Sequence, residues 1–165
     1  MSNEVKTTDG APAKSAADLA RDYFIYGYHC SESLVKAINE YYELHLDESI
    51  LRITSALSAG LGKAKSICGT ITGGALILGH LYGRTEAHED DDLVFDLMRE
   101  YYDKFVKKFG TERCSELTKD IHWGHPDHRE ACAEYVYQAT AFLSEILEET
   151  QRNLPVENGP RLREA

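Results

Sequence analysis

The chain has 165 residues and a formal net charge of −10 at neutral pH, from 18 basic and 28 acidic side chains. This length predicts a single domain, and the acidic balance excludes a protein that binds the phosphate backbone of nucleic acids. The first 20 residues contain no apolar leader, and the longest weakly charged run, residues 67–83, has too many glycine and threonine residues for a membrane helix. We therefore expect a cytoplasmic protein that does not insert into a membrane.

Apolar residues recur at spacings of three and four along most of the chain, and this pattern predicts helices throughout. No segment alternates apolar and polar residues for long enough to predict a strand. The sequence therefore predicts an all-α bundle of six or seven helices in one domain, residues 15–152, between flexible tails at 1–14 and 153–165. In chain order, the predicted helices cover roughly residues 15–27, 30–42, 47–62, 67–83, 90–110, 111–121 and 126–152.

Four cysteines, separated by 38, 46 and 18 residues, are the chemically most distinctive side chains of the sequence. None lies in a Cys-x-x-Cys pair, which excludes a zinc ribbon and a thioredoxin-type motif. Structural disulfides are not expected in the cytoplasm, because that compartment keeps thiols reduced. The spacing leaves two interpretations open: unrelated buried cysteines that pack as small apolar side chains, or a set that folding brings together for redox or metal chemistry. The four are Cys30, Cys68, Cys114 and Cys132.

One of these cysteines lies in a stretch without acidic residues. Residues 49–85 contain four lysine or arginine residues and no aspartate or glutamate. Cys68 is predicted in the first turn of the fourth helix, where unpaired N–H groups and the helix dipole stabilise a thiolate, and Lys63 and Lys65 are close in sequence. We therefore expect Cys68 to be the most acidic of the four thiols. The alternative is a buried central helix whose few basic residues mark its ends.

The fourth predicted helix also carries small residues one turn apart, including Gly69 and Gly73. A glycine in an exposed helix interior costs about 1 kcal/mol relative to alanine, so a compensating contact is expected. Small residues at this spacing let a second backbone or a bulky cofactor approach closely. The pattern leaves both uses open.

Three histidines precede the last cysteine, at positions 122, 125 and 128. His128 and Cys132 are four residues apart and share a helix face, which is the spacing of two ligands of one metal ion. The alternative is a surface loop rich in histidine with one half-buried imidazole, and we favour this simpler interpretation.

The residues at 68–73 read Cys-Gly-Thr-Ile-Thr-Gly. They resemble the C-G-A-x-x-G motif of the C_GCAxxG_C_C family of redox-active proteins, with threonine in place of the motif's alanine. The similarity extends from about residue 28 to residue 147. It includes a cysteine that opens an early helix, a glycine-rich approach at 60–62, a third cysteine after the Phe-Gly-Thr sequence at 109–111, and a fourth in the last long helix.

This resemblance implies that the four cysteines form one functional set. They would act in redox chemistry or electron transfer, as a dithiol/disulfide relay or as ligands of an iron–sulfur or other thiolate-bound metal centre. A similar domain occurs in split-Soret-type cytochromes, which is why an iron centre is included. Gly69 and Gly73 would border a cofactor. The implied partner is a redox protein or a small redox molecule, and the chain could form a homodimer.

Two interpretations from other classes stay open beside this one. The first is a helical interaction module without catalytic activity, whose cysteines only pack in the core. The second is a structural domain stabilised by zinc. Whether the chain is an enzyme, an oxidoreductase for example, or an electron carrier is not decided by the sequence.

Overall fold

The computed structural model describes residues 13–154, and this part of the chain forms seven helices and no strand. The all-α prediction is confirmed. Most of the two predicted tails, residues 1–12 and 155–165, lies outside the described residues. Among the described helices, none is long and apolar enough to cross a membrane. The helices are α1 (Ala16–Tyr26), α2 (Cys30–Tyr41), α3 (Glu48–Leu61), α4 (Gly69–Tyr82), α5 (Asp92–Phe109), α6 (Cys114–Leu117) and α7 (Pro126–Asn153).

The helix α4 lies at the centre of the bundle, in contact with α2, α3, α5 and α7, while α1 packs against α2 and α7. The apolar core includes the fully buried rings of Tyr101 and Phe105 on α5. Burial of such aromatic side chains is a main source of stability in a domain of this size. The aliphatic part of the core comes from α2, α4 and α7, which contribute Leu34, Val35, Ile38, Ile71, Ile77, Leu78, Leu143, Ile146 and Leu147.

Glycines of α4 let two neighbouring helices approach its backbone closely. A Cβ atom on Gly74 would lie 2.2 Å from Cε1 of Tyr101, and a Cβ atom on Gly73 would lie 3.2 Å from the Cα atom of Ser31 on α2. The Tyr101 hydroxyl donates to the backbone carbonyl of Thr70 at 3.0 Å. These contacts compensate for the low helix propensity of glycine, because the missing side chains allow large residues to be buried against α4.

The backbone adopts a left-handed conformation at the end of α3. Five successive residues, 59–63, have positive φ angles, from 55° at Ala59 to 71° at Lys63. Gly60 and Gly62 adopt this conformation readily, but Ala59, Leu61 and Lys63 carry side chains that disfavour it. The sequence predicts a turn at 60–62 from its two glycines, and the structure extends that turn into a left-handed segment of five residues.

Two helices begin later than the sequence predicts. Ile67 and Arg113 form an isolated antiparallel bridge, so the backbone in front of each helix is extended. As a result α4 begins at Gly69 and α6 begins at Cys114, whereas the predicted starts lie about two residues earlier. The bridge joins segments that are far apart in sequence, which periodicity along one segment does not reveal.

Candidate functional site

All four cysteines line one cavity of about 500 Å³. Cys30 is the first residue of α2, Cys68 caps α4, Cys114 is the first residue of α6, and Cys132 lies in the second turn of α7. Each thiol is therefore carried by the beginning of a different helix, and the bundle brings these four beginnings together. All four thiols are free.

The bridge between residues 67 and 113 determines where two of the thiols lie. Cys68 donates its backbone N–H to the carbonyl of Glu112 at 2.8 Å, and Cys114 donates its own to the carbonyl of Ser66 at 2.6 Å. In an antiparallel pair, the residues one step beyond the paired ones point to the opposite face and are diagonal neighbours. The bridge therefore directs both cysteine side chains to one side, where the cavity lies.

Cys30 is the thiol with the most backbone N–H groups around it. Its Sγ atom accepts a hydrogen bond from Ala59 N–H at 3.5 Å, and it interacts with the backbone N–H groups of Ser31, Gly69 and Cys30 itself. Burial raises the pKa of Cys30 above its ordinary value, while all four N–H groups act to lower it. Backbone N–H groups at a helix start favour a thiolate, so this environment opposes part of the cost of burial.

The left-handed segment 59–63 supplies one of these donors. Ala59 carries the N–H that meets the Cys30 thiol, at a φ angle of 55°. The segment depends on Gly60, because a Cβ atom there would lie 2.6 Å from the backbone nitrogen of Ser66. Positive φ at a residue with a side chain costs on the order of 1–2 kcal/mol. This strained conformation therefore lies directly beside a candidate reactive thiol.

The expectation that Cys68 is the most acidic thiol is wrong. Only 6% of Cys68 is exposed, and burial raises its pKa far above the ordinary value, with the neighbouring Cys30 adding to the effect. Its Sγ atom lies 3.2 Å from the Thr70 hydroxyl, which lowers the pKa only in part. The positive charge of Lys65 acts on Cys114 instead, because residue 65 lies beside the start of α6.

Cys114 and Cys132 differ in the groups that counteract the rise in pKa caused by burial. Burial and the Cys30 charge raise the pKa of Cys114, whereas Lys65 and the Thr118 hydroxyl lower it. Burial raises the pKa of Cys132 to about 12, and Cys30 and Cys114 contribute to the rise while Arg129 opposes it. Cys132 is therefore a weakly acidic thiol.

Cys30 and Cys114 each interact electrostatically with the other three thiols. Negative charge on Cys30 raises the pKa of Cys68, Cys114 and Cys132 alike. Such coupling requires proximity, because interactions between charges fall off with distance even at low effective dielectric. Charge on Cys114 likewise raises the pKa of Cys68 and Cys132, so the four thiols form one interacting set in which Cys30 and Cys114 are both coupled to all the others.

Two residues that line the cavity, Arg129 and Trp123, are not predicted from the sequence to take part in function. Arg129 donates to the backbone carbonyls of Phe24 and Tyr28. Trp123 lies 4.6 Å from His128, ring centroid to ring centroid, and the Lys65 ammonium lies 5.3 Å from a Trp123 ring centroid. A sequence signal did exist for Arg129, which precedes Cys132 by three residues and so shares its helix face.

The two glycines predicted to border a cofactor lie in different surroundings. Gly69 lines the cavity, and a Cβ atom on it would lie 2.4 Å from the Cys30 Sγ atom. Gly73 packs against Ser31 of α2. Within residues 13–154, no three histidine, cysteine, aspartate or glutamate side chains are arranged to hold one metal ion. The thiols thus share a cavity in an arrangement that does not fit a single ion, and we derive no step through a metal.

Comparison with known protein families adds independent evidence. The family model described as "Putative redox-active protein (C_GCAxxG_C_C)" matches residues 28–146. The chain belongs to this family. The match to the C_GCAxxG_C_C family contains all four cysteines, the left-handed segment and the bridge, and it begins just after α1. Comparison with curated proteins and with solved structures gives no match.

Proposed function

We propose that the protein is a thiol redox protein in which the four cysteines exchange electrons as dithiol and disulfide pairs. One observation carries this proposal: four free thiols from four helix starts line a single cavity. Exposed residues such as His29 and Lys63 also line that cavity, so it reaches the surface. A cytoplasmic location belongs to the proposal, because a reducing compartment would return the thiols to their reduced form.

Cys30 has the surroundings of the attacking thiol. Its N–H donors stabilise the thiolate, which is the nucleophile in thiol–disulfide exchange. The Cys30 thiolate attacks one sulfur of a substrate disulfide and releases the other sulfur as a thiolate, leaving a mixed disulfide on Cys30. A second cysteine then displaces the bound half and closes a protein disulfide. Cys68 is our candidate for this step, because it adjoins Gly69, which packs against the Cys30 sulfur.

A second candidate function uses the same residues as ligands. Four thiolates are the donor set of iron–sulfur clusters, in which several irons share the ligands, and all four cysteines face one cavity. A structural zinc site would require the ligands to move together around one ion. Electron transfer through a cluster and stabilisation by zinc both predict metal in protein purified without oxygen. A helical interaction module predicts neither metal nor reversible oxidation of the thiols.

The deciding experiment combines metal analysis with a redox titration. Protein purified without oxygen is analysed for iron, acid-labile sulfide and zinc, then equilibrated in glutathione buffers from about −300 to about −150 mV. Alkylation and intact mass count the free thiols at each potential. We expect a reversible loss of thiols two at a time within the monomer. Four thiols that stay free across this range would contradict the relay, and iron with sulfide would favour the cluster.

A further inference from the structure

The cavity differs in charge from the molecule that surrounds it. The chain has 28 acidic residues and a net charge of −10. Nevertheless, none of the described residues that line the cavity is an aspartate or a glutamate. Lys63, Arg129 and the histidines 29, 125 and 128 do line it. Two carboxylates lie beside these histidines, because Asp127 lies 3.0 Å from His125 and Glu32 accepts the backbone N–H of His29 at 2.7 Å. Lys63 and Arg129 are the charged side chains of this lining at neutral pH, so the cavity is a positive region in an acidic protein.

The cations at this cavity are not neutralised by ion pairs. Among the ion pairs of residues 13–154, none involves Lys63, Lys65 or Arg129. Arg129 is held by two backbone carbonyls, which orient the guanidinium without cancelling its charge. Lys65 stacks over the Trp123 ring. Unpaired positive charge in a concave site attracts anions and raises the rate at which they arrive.

The size and lining of the cavity indicate a small molecule. A volume of about 500 Å³ lies within the range of small-molecule sites. Trp123 and Tyr135 provide apolar surface, and the four thiols provide the reacting atoms. A ligand that fits this cavity is compact, carries negative charge and contains a bond that a thiolate can attack.

We propose that the substrate is a low-molecular-weight organic disulfide that carries carboxylates. This inference rests on the proposed thiol redox function and specifies its substrate class. The carboxylates lie near Lys63 and Arg129, and the substrate S–S bond lies next to the Cys30 sulfur. Two protein thiols are oxidised to one disulfide, and the substrate disulfide is reduced to two thiols. The two protons of the protein thiols leave with those products or with solvent, so atoms and electrons balance.

Three disulfides of different charge test this inference on the reduced full-length protein. The probes are 3,3′-dithiodipropionate (anionic), bis(2-hydroxyethyl) disulfide (neutral) and cystamine (cationic). Thiol loss is followed at about pH 8 and low ionic strength, and each rate constant is divided by that of 2-mercaptoethanol with the same probe. We expect the anionic probe to react at least about tenfold faster than the cationic one, with most of this preference lost at about 0.5 M salt.

Two charge-reversal variants test whether the preference for the anionic probe arises at the cavity. Lys63→Glu should reduce the preference for the anionic probe about fivefold, whereas Lys108→Glu, at an exposed position in the last turn of α5, should leave it nearly unchanged. Equal normalised rates for all three probes, or a preference that persists in Lys63→Glu, would overturn the proposed substrate class alone. If the reduced protein reacts with none of the probes, the thiol redox function fails as well. If Lys63→Glu does not fold, the salt dependence of the anionic preference in the unmodified protein still tests the proposed substrate class.

Discussion

The start and the middle of α4 use glycine for different purposes. Near the middle of the helix, Gly74 makes room for the ring of Tyr101, which is completely buried in the apolar core. At the start of the same helix, Gly69 makes room for the sulfur of Cys30, which lies at the cavity. The absence of a Cβ atom thus allows close packing around Tyr101 and makes room for the reactive sulfur of Cys30.

The surroundings of the two glycines differ accordingly. The Tyr101 region is built from regular helices and apolar side chains. The Cys30 region contains a left-handed segment, an isolated bridge and cations without ion-pair partners. Strained backbone persists only where surrounding structure holds it in place, and the well-packed helices provide that support. We therefore expect substitutions in the first region to change stability and those in the second to change thiol reactivity.

The largest expected effect is on stability, at Gly74. Gly74→Ala places a methyl group 2.2 Å from a buried ring that cannot move freely. Overpacking of this kind costs about 1–3 kcal/mol, and loss of the Tyr101–Thr70 hydrogen bond adds to it, so we expect a net destabilisation of about 2 kcal/mol in urea unfolding. Gly79→Ala is the matched control, because nothing lies within 4 Å of a Cβ atom there. The control should stabilise the protein by up to about 1 kcal/mol.

The next effect is on reactivity, at Gly69. A methyl group on this residue would collide with the Cys30 sulfur and move it away from the N–H groups of Ala59 and Gly69. We expect Gly69→Ala to slow alkylation of Cys30 about tenfold at a fixed pH, because losing these donors raises its pKa and leaves less thiolate. Peptide mass spectrometry after brief iodoacetamide treatment measures this. An unchanged Cys30 rate in a folded variant would argue against the role of the N–H groups.

A third prediction concerns the pH dependence of stability in the reduced protein. Free thiols in the unfolded chain ionise near pH 8.5, whereas burial holds the pKa of Cys132 at about 12 in the folded protein. The stabilisation from the protonated thiol is therefore complete below about pH 8.5 and is lost as the pH rises towards 12. We expect the free energy of unfolding to fall between about pH 7.5 and 9.5, by at most about 1.4 kcal/mol per pH unit for each thiol.

Urea unfolding under reducing conditions checks this prediction. The upper limit of about pH 9.5 keeps tyrosine ionisation small. Cys132→Ala should show a shallower decline than the unmodified protein, because one titrating thiol is absent. The same slope in both proteins would show that Cys132 does not contribute.

The smallest expected effect shows which thiol the Lys65 charge acts on. The Lys65 charge lowers the pKa of Cys114, so Lys65→Met should slow Cys114 alkylation, by less than about threefold because solvent screens an ammonium at this position. Cys68 should not change, since no lysine acts on it. Peptide-resolved alkylation measures both rates in one sample, and a change confined to Cys68 would reverse this assignment.

Much of the fold follows from local sequence patterns. The start of α7 at Pro126 and the end of α5 before Gly110 are where the sequence predicts them, because capping and breaking residues act within one segment. The starts of α4 and α6 are wrong by about two residues, since the bridge between 67 and 113 depends on a contact across the chain.

The sequence predicts which residues form the site better than it predicts their chemistry. Family resemblance identified the four cysteines, but local sequence pointed to Cys68 as the acidic thiol. Two of the four donors around Cys30 come from residues 59 and 69, which lie 29 and 39 positions away. Deep burial of Cys68 is likewise a property of the assembled bundle. The order in which the thiols ionise depends on the left-handed segment and on desolvation in the assembled bundle. Neither can be read from the spacing of residues in the sequence.

The central claim is that the four thiols form one coupled set. The most direct test follows the alkylation rates of Cys114 and Cys132 from about pH 7 to 10 in the Cys30→Ser variant. Because negative charge on Cys30 raises the pKa of both thiols, its removal should speed their alkylation at a given pH about threefold or more. Cys68→Ser is the matched control and should leave Cys132 unchanged, because no charge on Cys68 acts on that thiol. Unchanged or slower alkylation of both thiols in Cys30→Ser would contradict the claim.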